Sequence, residues 1–357
     1  MGSCFSVYGL VAMVSYILGG FLADRYEARK LLSIALWTTS LGGFYAVSIP
    51  SYGELLALYG YWGFTTILLF WASLIRATRE WGRLSDQGKA FGLLEGGRGL
   101  AAAVIGVLSL GFFAWFMQDS TTFEPVHRRE SFQIILMLTS VIIFSIGLWT
   151  WYGLPEGKID PEHKKRMVGI SEVAVVLRLP TVWLQALMIV CAYVGYKITD
   201  DYSLFANQVL EMDQVSSAGI SAAAMWLRPI FAIGAGFLAD KWNSDRVVSI
   251  CFAGMALSGG LIFFGVYQHG AIMTFTLLTT ALLGIYGLRG VYFALFNQAA
   301  VPFALTGTAV GFISFVGYTP YVFMSPLWVI CSTPTPVLAD TNSFLESWRF
   351  LECSAGF

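Results

Sequence analysis

The sequence predicts an all-α integral membrane protein, organised as a two-domain bundle of transmembrane helices. Three observations lead to this fold class. Apolar residues dominate the composition, about ten apolar stretches are long enough to cross a bilayer, and one long polar stretch separates them into two equal groups.

The composition is typical of an integral membrane protein. The chain has 357 residues, of which 57% are hydrophobic and 12% charged, and its mean hydropathy is +0.68. A soluble domain carries about 25% charged residues. The net charge of −1 argues against a nucleic-acid partner. The cysteines and histidines lack metal-ligand spacing, so we expect neither a metal nor a cofactor.

The predicted spans follow one another along almost the whole chain. A transmembrane helix needs about 20 apolar residues. Strands do not explain these stretches, because a buried strand is much shorter and membrane-barrel strands alternate apolar with polar residues. In chain order the predicted spans are Phe5–Leu22, Leu31–Ile49, Leu55–Ala77, Phe91–Phe116, Phe132–Trp151, Val182–Thr199, Ala218–Leu238, Val247–Val266, Ile272–Asn297 and Leu305–Ile330.

The polar stretch predicts a linker at 152–179, between a transmembrane half at 1–151 and a second at 180–357. Basic residues are concentrated in the linker and in every second loop. The loops on the opposite side hold only Arg128 and Arg129. By the positive-inside rule, the linker faces the cytosol of a multi-pass protein in the plasma membrane, which we expect to be a bacterial inner membrane.

A charged motif follows the first span and recurs in the second half. The first copy reads GGFLADRYEARK at 19–30, and the second reads GAGFLADKWNSDR at 234–246. Aligning the copies lays 12–25 over 228–241, so the chain is two copies of one unit, as is typical of transporters. The motif residues are Gly20, Asp24, Arg25, Arg29 and Lys30 in the first copy, and Gly236, Asp240, Lys241 and Arg246 in the second.

These residues resemble the signature of the major facilitator superfamily, which follows the second helix of each half. Glu27 stands where the first copy usually has glycine, and Asn243 and Asp245 depart from the pattern in the second. The resemblance covers essentially the whole chain and implies a fold of twelve helices. The visible spans then correspond to family helices 2–11, and the last residues begin the twelfth. We therefore expect a sequence truncated at both ends; an alternative start site or a degenerate gene would look the same.

The motif residue types suit a latch on the cytosolic side. Glycine lets neighbouring helices approach closely, and the acid can sit at the positive N-terminus of another helix. The bases would bridge to acids on adjacent helices. A single copy would be explained equally well by a topology anchor. Two copies at matching places favour the latch.

Arginines within the spans are candidate solute ligands, because intramembrane charge is costly and usually functional. Arg228 lies about 18 Å along its helix from Asp240, near the bilayer centre. Its partner is either an anionic solute or an acid of its own half. Arg76 and Arg289 align as symmetry mates and predict an anion clamp, unless they extend to the cytosolic surface.

Two further groups complete the candidate residues. Lys197, with Tyr193 and Tyr196 on the same span, is predicted to face the solute cavity. Glu95 and Arg98 are three residues apart and so share a helix face. We expect these two to form a structural ion pair near the inner gate.

The resemblance implies a secondary transporter that works by alternating access. Catalytic motifs are not found in the spans, so an enzyme is not expected. Excess positive charge at mid-membrane depth favours an anionic solute. The segments EGGRGL and TGTAVGFISFVGYTP also resemble a bacterial branch of sugar-acid-like permeases. A nitrate-type anion carrier, a drug exporter and an inactive truncated protein remain alternatives.

The expected partners are a small-molecule solute and the lipid bilayer. The sequence leaves open whether a proton or a cation couples to the transport. We expect the protein to be a monomer.

Overall fold

A computed structural model of the protein describes residues 2–82, 85–117, 125–155, 170–296 and 298–320. Throughout these residues the regular secondary structure is helical, without a strand, so the predicted all-α fold is confirmed. Half of the predicted linker, the last ten residues of the last predicted span and the start of a twelfth helix lie outside the described residues.

The helices match the predicted spans in order and approximate position. They are α1 (Gly2–Arg25), α2 (Ala28–Ala46), α3 (Tyr52–Phe64), α4 (Ala72–Trp81), α5 (Gln87–Met117), α6 (Pro125–Gly153), α7 (Ile170–Arg178), α8 (Pro180–Ile198), α9 (Tyr202–Gln208), α10 (Gln214–Trp242), α11 (Ser244–Phe263), α12 (Ala271–Val291) and α13 (Thr306–Gly317). A π-helical segment, Thr65–Trp71, joins α3 to α4.

Length and composition make 8 of the described helical stretches candidate membrane spans. The shorter apolar stretch Phe303–Gly317 contains α13. The second predicted span corresponds to α2, which has 19 residues. The protein is therefore a multi-span membrane protein.

Contacts divide the chain into two compact units. Unit 1 combines Met1–Ala77, Phe112–Arg178 and Pro302–Phe357, and unit 2 combines Thr78–Gly111 and Leu179–Val301. Each unit thus contains helices from both halves of the sequence. The predicted domains at 1–151, 152–179 and 180–357 divide the chain along its sequence and not by contacts, and they stay a prediction.

In unit 1, α1 packs along α13 and α3, while α2 packs along α6. Glycines make the α1–α13 contact close. A Cβ atom on Gly20 would lie 2.6 Å from the carbonyl oxygen of Gly307, which is nearer than packed atoms approach. The two backbones therefore touch, as small residues allow between membrane helices.

In unit 2, α12 packs along both α10 and α11. Its core includes Tyr202, Leu278, Leu282 and Ile285, all of them buried. Two of these helices carry arginines of the site described next: Arg228 lies on α10 and Arg289 on α12.

Candidate functional site

A row of glycines on α5 brings this helix against α10. Gly88, Gly92 and Gly96 are one turn apart and share a face. A Cβ atom on Gly88 would lie 2.5 Å from the carbonyl oxygen of Gly236, and one on Gly92 would lie 2.8 Å from that of Ala232. A larger side chain at these positions would separate the helices.

This close packing joins Glu95 of α5 to Arg228 of α10. Arg228 donates two hydrogen bonds to one carboxylate oxygen, Oε1, from Nη2 at 2.6 Å and from Nε at 3.1 Å. A Cβ atom on Gly99, one turn beyond Glu95, would lie 2.9 Å from Cγ of Arg228. The stem of Arg228 therefore lies across the bare backbone of Gly99.

Two more arginines bind the same carboxylate. Arg289 of α12 donates from Nε to Oε1 of Glu95 at 2.7 Å. Arg98 donates from Nη1 to Oε2 at 3.0 Å. We call Glu95, Arg98, Arg228 and Arg289 the arginine cluster.

The arginine cluster is mostly buried and carries excess positive charge. The exposed fraction of the side chain is 5% for Glu95, 6% for Arg289, 14% for Arg228 and 38% for Arg98. One carboxylate faces three guanidinium groups. Uncompensated charge away from water is costly, so this arrangement suits an added anion.

Two tyrosines of α8 line the cluster. The guanidinium carbon of Arg289 lies 4.0 Å from the ring centroid of Tyr196 and 5.7 Å from that of Tyr193. Arg228 lies 5.8 Å from the Tyr196 ring. Rings at these distances attract cations electrostatically, so they help to hold the guanidinium groups in place.

The guanidinium group of Arg289 offers a buried donor to a ligand. Nη1 of Arg289 is buried and has no hydrogen-bond partner among the described residues. A buried donor without a partner costs about 1–3 kcal/mol, more when it is charged. The cluster can therefore bind an oxygen atom of a ligand at this nitrogen.

The first copy of the charged motif holds a helix terminus in unit 1. Asp24 accepts hydrogen bonds from the backbone nitrogens of Gly307 and Thr308, at 2.6 and 2.7 Å, and from the Thr308 hydroxyl at 2.7 Å. These residues form the first turn of α13. Arg76 lies 3.7 Å from the Asp24 carboxylate and donates to the carbonyl of Ala23.

The second copy repeats this contact in unit 2. Asp240 accepts hydrogen bonds from the backbone nitrogens of Gly88 and Lys89, at 2.7 and 2.8 Å. These residues form the first turn of α5. In both copies, therefore, the acid sits at the N-terminus of another helix, where the helix dipole favours negative charge.

Comparison with known proteins identifies the family. The sequence profile of the Major Facilitator Superfamily matches residues 1–325. The chain belongs to the major facilitator superfamily. The resemblance found in the sequence is thus confirmed, and the family indicates a transporter instead of an enzyme.

Relatives within the superfamily include bacterial membrane proteins. The inner membrane protein YqcE of Escherichia coli is 26% identical over 338 residues, covering 92% of this chain and 77% of that protein. YihN, another inner membrane protein of E. coli, is 25% identical over 339 residues, covering 92% and 78%. The probable nitrate/nitrite antiporter NarK1 of Thermus thermophilus is 23% identical over 278 residues, covering 73% and 56%.

Solved structures of superfamily transporters share the fold. The fucose:proton symporter FucP of E. coli superimposes with a TM-score of 0.69 at 16% identity, covering 92% of this chain and 84% of that one. The proton:xylose symporter XylE superimposes with a TM-score of 0.63 at 14% identity, covering 92% and 80%. At these identities the likeness supports the fold alone.

The basic residues that end the first motif of this superfamily protein contact the acid at the N-terminus of their own helix, α2. Lys30 and Arg29 lie 3.1 and 3.9 Å from the Glu27 carboxylate. Glu27 is the residue that stands in place of the usual glycine. Arg29 also lies over the ring of Trp151 on α6, at 5.8 Å. Within the described part of the chain, these two bases thus lie beside a local acid, and Arg29 also lies over an aromatic ring; the bridge to an acid on an adjacent helix stays a prediction.

The remaining motif bases are exposed. Arg25 lies over the ring of its neighbour Tyr26 at 5.7 Å. Lys241 and Arg246 also face outwards. These three residues can anchor the protein at the membrane surface.

The candidate solute ligands have different partners. Arg76 is buried beside Asp24 in unit 1, whereas Arg289 belongs to the arginine cluster in unit 2. Lys197 forms an ion pair with Asp200, one turn further along the chain. The structure thus brings Arg228, Arg289, Tyr193 and Tyr196 together, and it places Arg76 and Lys197 with other acids.

Sequence reasoning missed the acid that Arg228 binds. It considered a solute or an acid of the same half, whereas Glu95 comes from the other half. A signal was present in LLEGGRGL, where glycines surround a membrane-embedded acid. Glycines on one helix face predict close contact with another helix, and an acid on that face needs a basic partner there.

Proposed function

We propose that this superfamily member transports a small organic anion, such as a sugar acid, by alternating access. Arg289 and Arg228 bind the anion, and Tyr193 and Tyr196 form the wall behind them. The observation that carries this proposal is the buried, unpartnered Nη1 of Arg289 within a cluster of net positive charge.

The guanidinium group explains the choice of solute class. Its planar fork presents paired donors that match carboxylate, sulfonate and phosphate groups. In Arg289, Glu95 occupies Nε and leaves Nη1 for the solute. Lys197 stays beside Asp200 and acts at most at longer range. Arg76, held by Asp24, stabilises the motif acid instead of binding solute.

A nitrate-type inorganic anion is the second candidate. It is favoured by the likeness to a protein named as a probable nitrate/nitrite antiporter. The arginine cluster would suit nitrate as well as a carboxylate, because both are planar anions with oxygen acceptors. Competition between nitrate and a sugar acid distinguishes the two candidates.

The charged motifs form the cytosolic gate in this proposal. Asp24 and Asp240 hold the N-termini of α13 and α5 while the cytosolic side is closed, and these contacts break when it opens. The two transmembrane halves are 1–151 and 180–357, joined by the linker 152–179. The protein works as a monomer in the inner membrane, and the coupling ion, where the transport is coupled, is a proton or another cation.

Ligand binding to purified variants of Arg289 tests the proposal. Arg289→Gln should weaken gluconate binding about ten- to hundredfold, because a charge-assisted hydrogen bond contributes about 1.5–3 kcal/mol. Arg289→Lys should also weaken it, since the charge remains but the fork is lost. Titration calorimetry in detergent measures both effects.

A matched control is Arg129→Gln, which removes an exposed arginine at the start of α6. Gluconate should bind this variant as it binds the unmodified protein. Unchanged gluconate affinity in folded Arg289→Gln would refute the proposed ligand. Nitrate binding that depends on Arg289, without gluconate binding, would favour the second candidate.

A further inference from the structure

We infer that Glu95 determines the valence of the transported anion: it restricts the arginine cluster to singly charged anions and excludes doubly charged ones. This inference rests on the proposed function and narrows its solute class to carboxylates and sulfonates. Glu95 is a specificity-determining residue here, because it neutralises one arginine charge and so sets the net charge that the cluster presents to the solute.

The buried charges of the cluster give the expected valence. Arg228 and Arg289 lie well inside, with side-chain exposures of 14% and 6%, and so does Glu95 at 5%. The buried excess is therefore one positive charge. Arg98 is 38% exposed, so solvent and salt screen much of its charge. One negative charge on the solute neutralises the buried excess, whereas a second would be left uncompensated.

Glu95 stays in place when the solute binds. Its Oε1 atom accepts N–H groups from Nε and Nη2 of Arg228 and from Nε of Arg289. A solute that displaced the carboxylate would have to replace all of these bonds. A solute that uses Nη1 of Arg289 gains a bond and breaks none. The cluster therefore shares its arginines between Glu95 and the solute.

The backbone next to Glu95 is also closely packed. A Cβ atom on Gly96 would lie 3.1 Å from the carbonyl oxygen of Pro229, so the two helices touch next to Glu95. Rotating the Glu95 side chain out of the cluster would break its hydrogen bonds to Arg228, Arg289 and Arg98. The negative charge of Glu95 is thus a fixed part of the site.

The test uses three probes with one carbon skeleton and different charges. At about pH 8, glucose is neutral, gluconate carries one negative charge, and glucose 6-phosphate carries nearly two, since the second pKa of a phosphate ester is about 6. We would measure their dissociation constants for the purified unmodified protein and for Glu95→Gln. Glutamine keeps the size and an acceptor oxygen but removes the charge.

The unmodified protein should prefer gluconate to glucose 6-phosphate. In Glu95→Gln this preference should shift towards glucose 6-phosphate by about tenfold or more. Without the Glu95 charge, the arginines can form one more charge-assisted contact with the doubly charged phosphate. Glucose should bind weakly to both proteins. Glu130→Gln, which removes an exposed acid of α6, is the matched control and should leave the ratio unchanged.

The same ratio of dissociation constants, measured in Arg98→Gln, tests the inference even if Glu95→Gln does not fold. Removing this positive charge should increase the discrimination against glucose 6-phosphate. In the double variant, Glu95→Gln with Arg98→Gln, the preference should return towards that of the unmodified protein. A residue with a purely structural role would not produce shifts of opposite sign in the two single variants.

The outcomes separate this inference from the proposed function. If the unmodified protein binds gluconate and the ratio stays the same in Glu95→Gln and Arg98→Gln, the inference is wrong and the proposed function stands. A preference of the unmodified protein for glucose 6-phosphate would overturn the inference as well. If neither anion binds the unmodified protein, both the proposed function and the inference are overturned.

Discussion

Two helix junctions of this protein are built in the same way and carry different chemistry. In unit 1, α1 meets α13 through Gly20 and Gly307, and Asp24 holds the first turn of α13. In unit 2, α10 meets α5 through Gly236 and Gly88, and an aspartate again holds the first turn. The packing and the helix-terminus contact are thus repeated.

The junctions differ about two helical turns further along. There, α5 carries Glu95, which binds arginines. At the corresponding place α13 carries Ser314, whose hydroxyl accepts a hydrogen bond from Nε1 of Trp71 at 3.0 Å. Both residues are buried. The sequence alignment places Ala12 opposite Arg228, so the α1–α13 junction also lacks a charge at that position.

The comparison separates scaffold from site. Close packing and a bound aspartate occur in both junctions, so they serve the architecture that both share. At the two positions compared beyond the aspartate, the α10–α5 junction has the charged residues Glu95 and Arg228, whereas the α1–α13 junction has Ser314 and Ala12. We therefore expect changes to the shared features to have similar effects in both units, and changes beyond them to have unequal effects.

The largest expected effect is the loss of the Glu95 carboxylate. Glu95→Ala leaves buried guanidinium groups without their counter-ion and should lower the free energy of unfolding by about 3–5 kcal/mol. Ser314→Ala removes one neutral hydrogen bond and should cost about 0.5–1.5 kcal/mol. Thermal unfolding in detergent measures both. Equal losses in stability would contradict the contrast between a charged and a neutral junction.

The glycine pairs should respond alike. A Cβ atom on Gly88 or on Gly307 would lie 2.5 Å from the carbonyl oxygen opposite, so either alanine variant should destabilise the protein by about 1–3 kcal/mol. Gly97→Ala is the control, because a Cβ atom there meets nothing within 4 Å. It should leave the melting temperature unchanged or raise it. A harmless Gly307→Ala would show that only the α10–α5 junction needs close contact.

The smallest expected effects come from the aspartates. Asp24→Asn should cost about 1–2 kcal/mol, since Asp24 is buried and accepts three hydrogen bonds, one from Gly307 and two from Thr308. Asp240→Asn should cost about 0.5–1 kcal/mol, since Asp240 is more exposed and accepts two. Both variants should also reduce transport by reconstituted protein. A greater loss for Asp240→Asn would reverse this order.

The sequence by itself determined the membrane class, the order of the helices and the family. These features depend on local properties: an apolar stretch of about 20 residues forms a spanning helix whatever its neighbours are, because lipid offers the backbone no other hydrogen-bond partners. The motif acids also had an expected environment, a helix N-terminus, which is where the structure places them.

The tertiary structure decided which charges pair with one another. Glu95 and Arg228 lie far apart in the chain, and nothing in their local sequence fixes their distance. Gly88 and Gly92 let α5 approach α10, and that approach places the carboxylate within reach of Arg228 and Arg289. Arg76 and Arg289 align in the two halves of the sequence, yet Arg76 pairs with Asp24 and Arg289 with Glu95. The physical reason is that ion pairing depends on distances of a few ångströms between helices, which packing sets and sequence order does not.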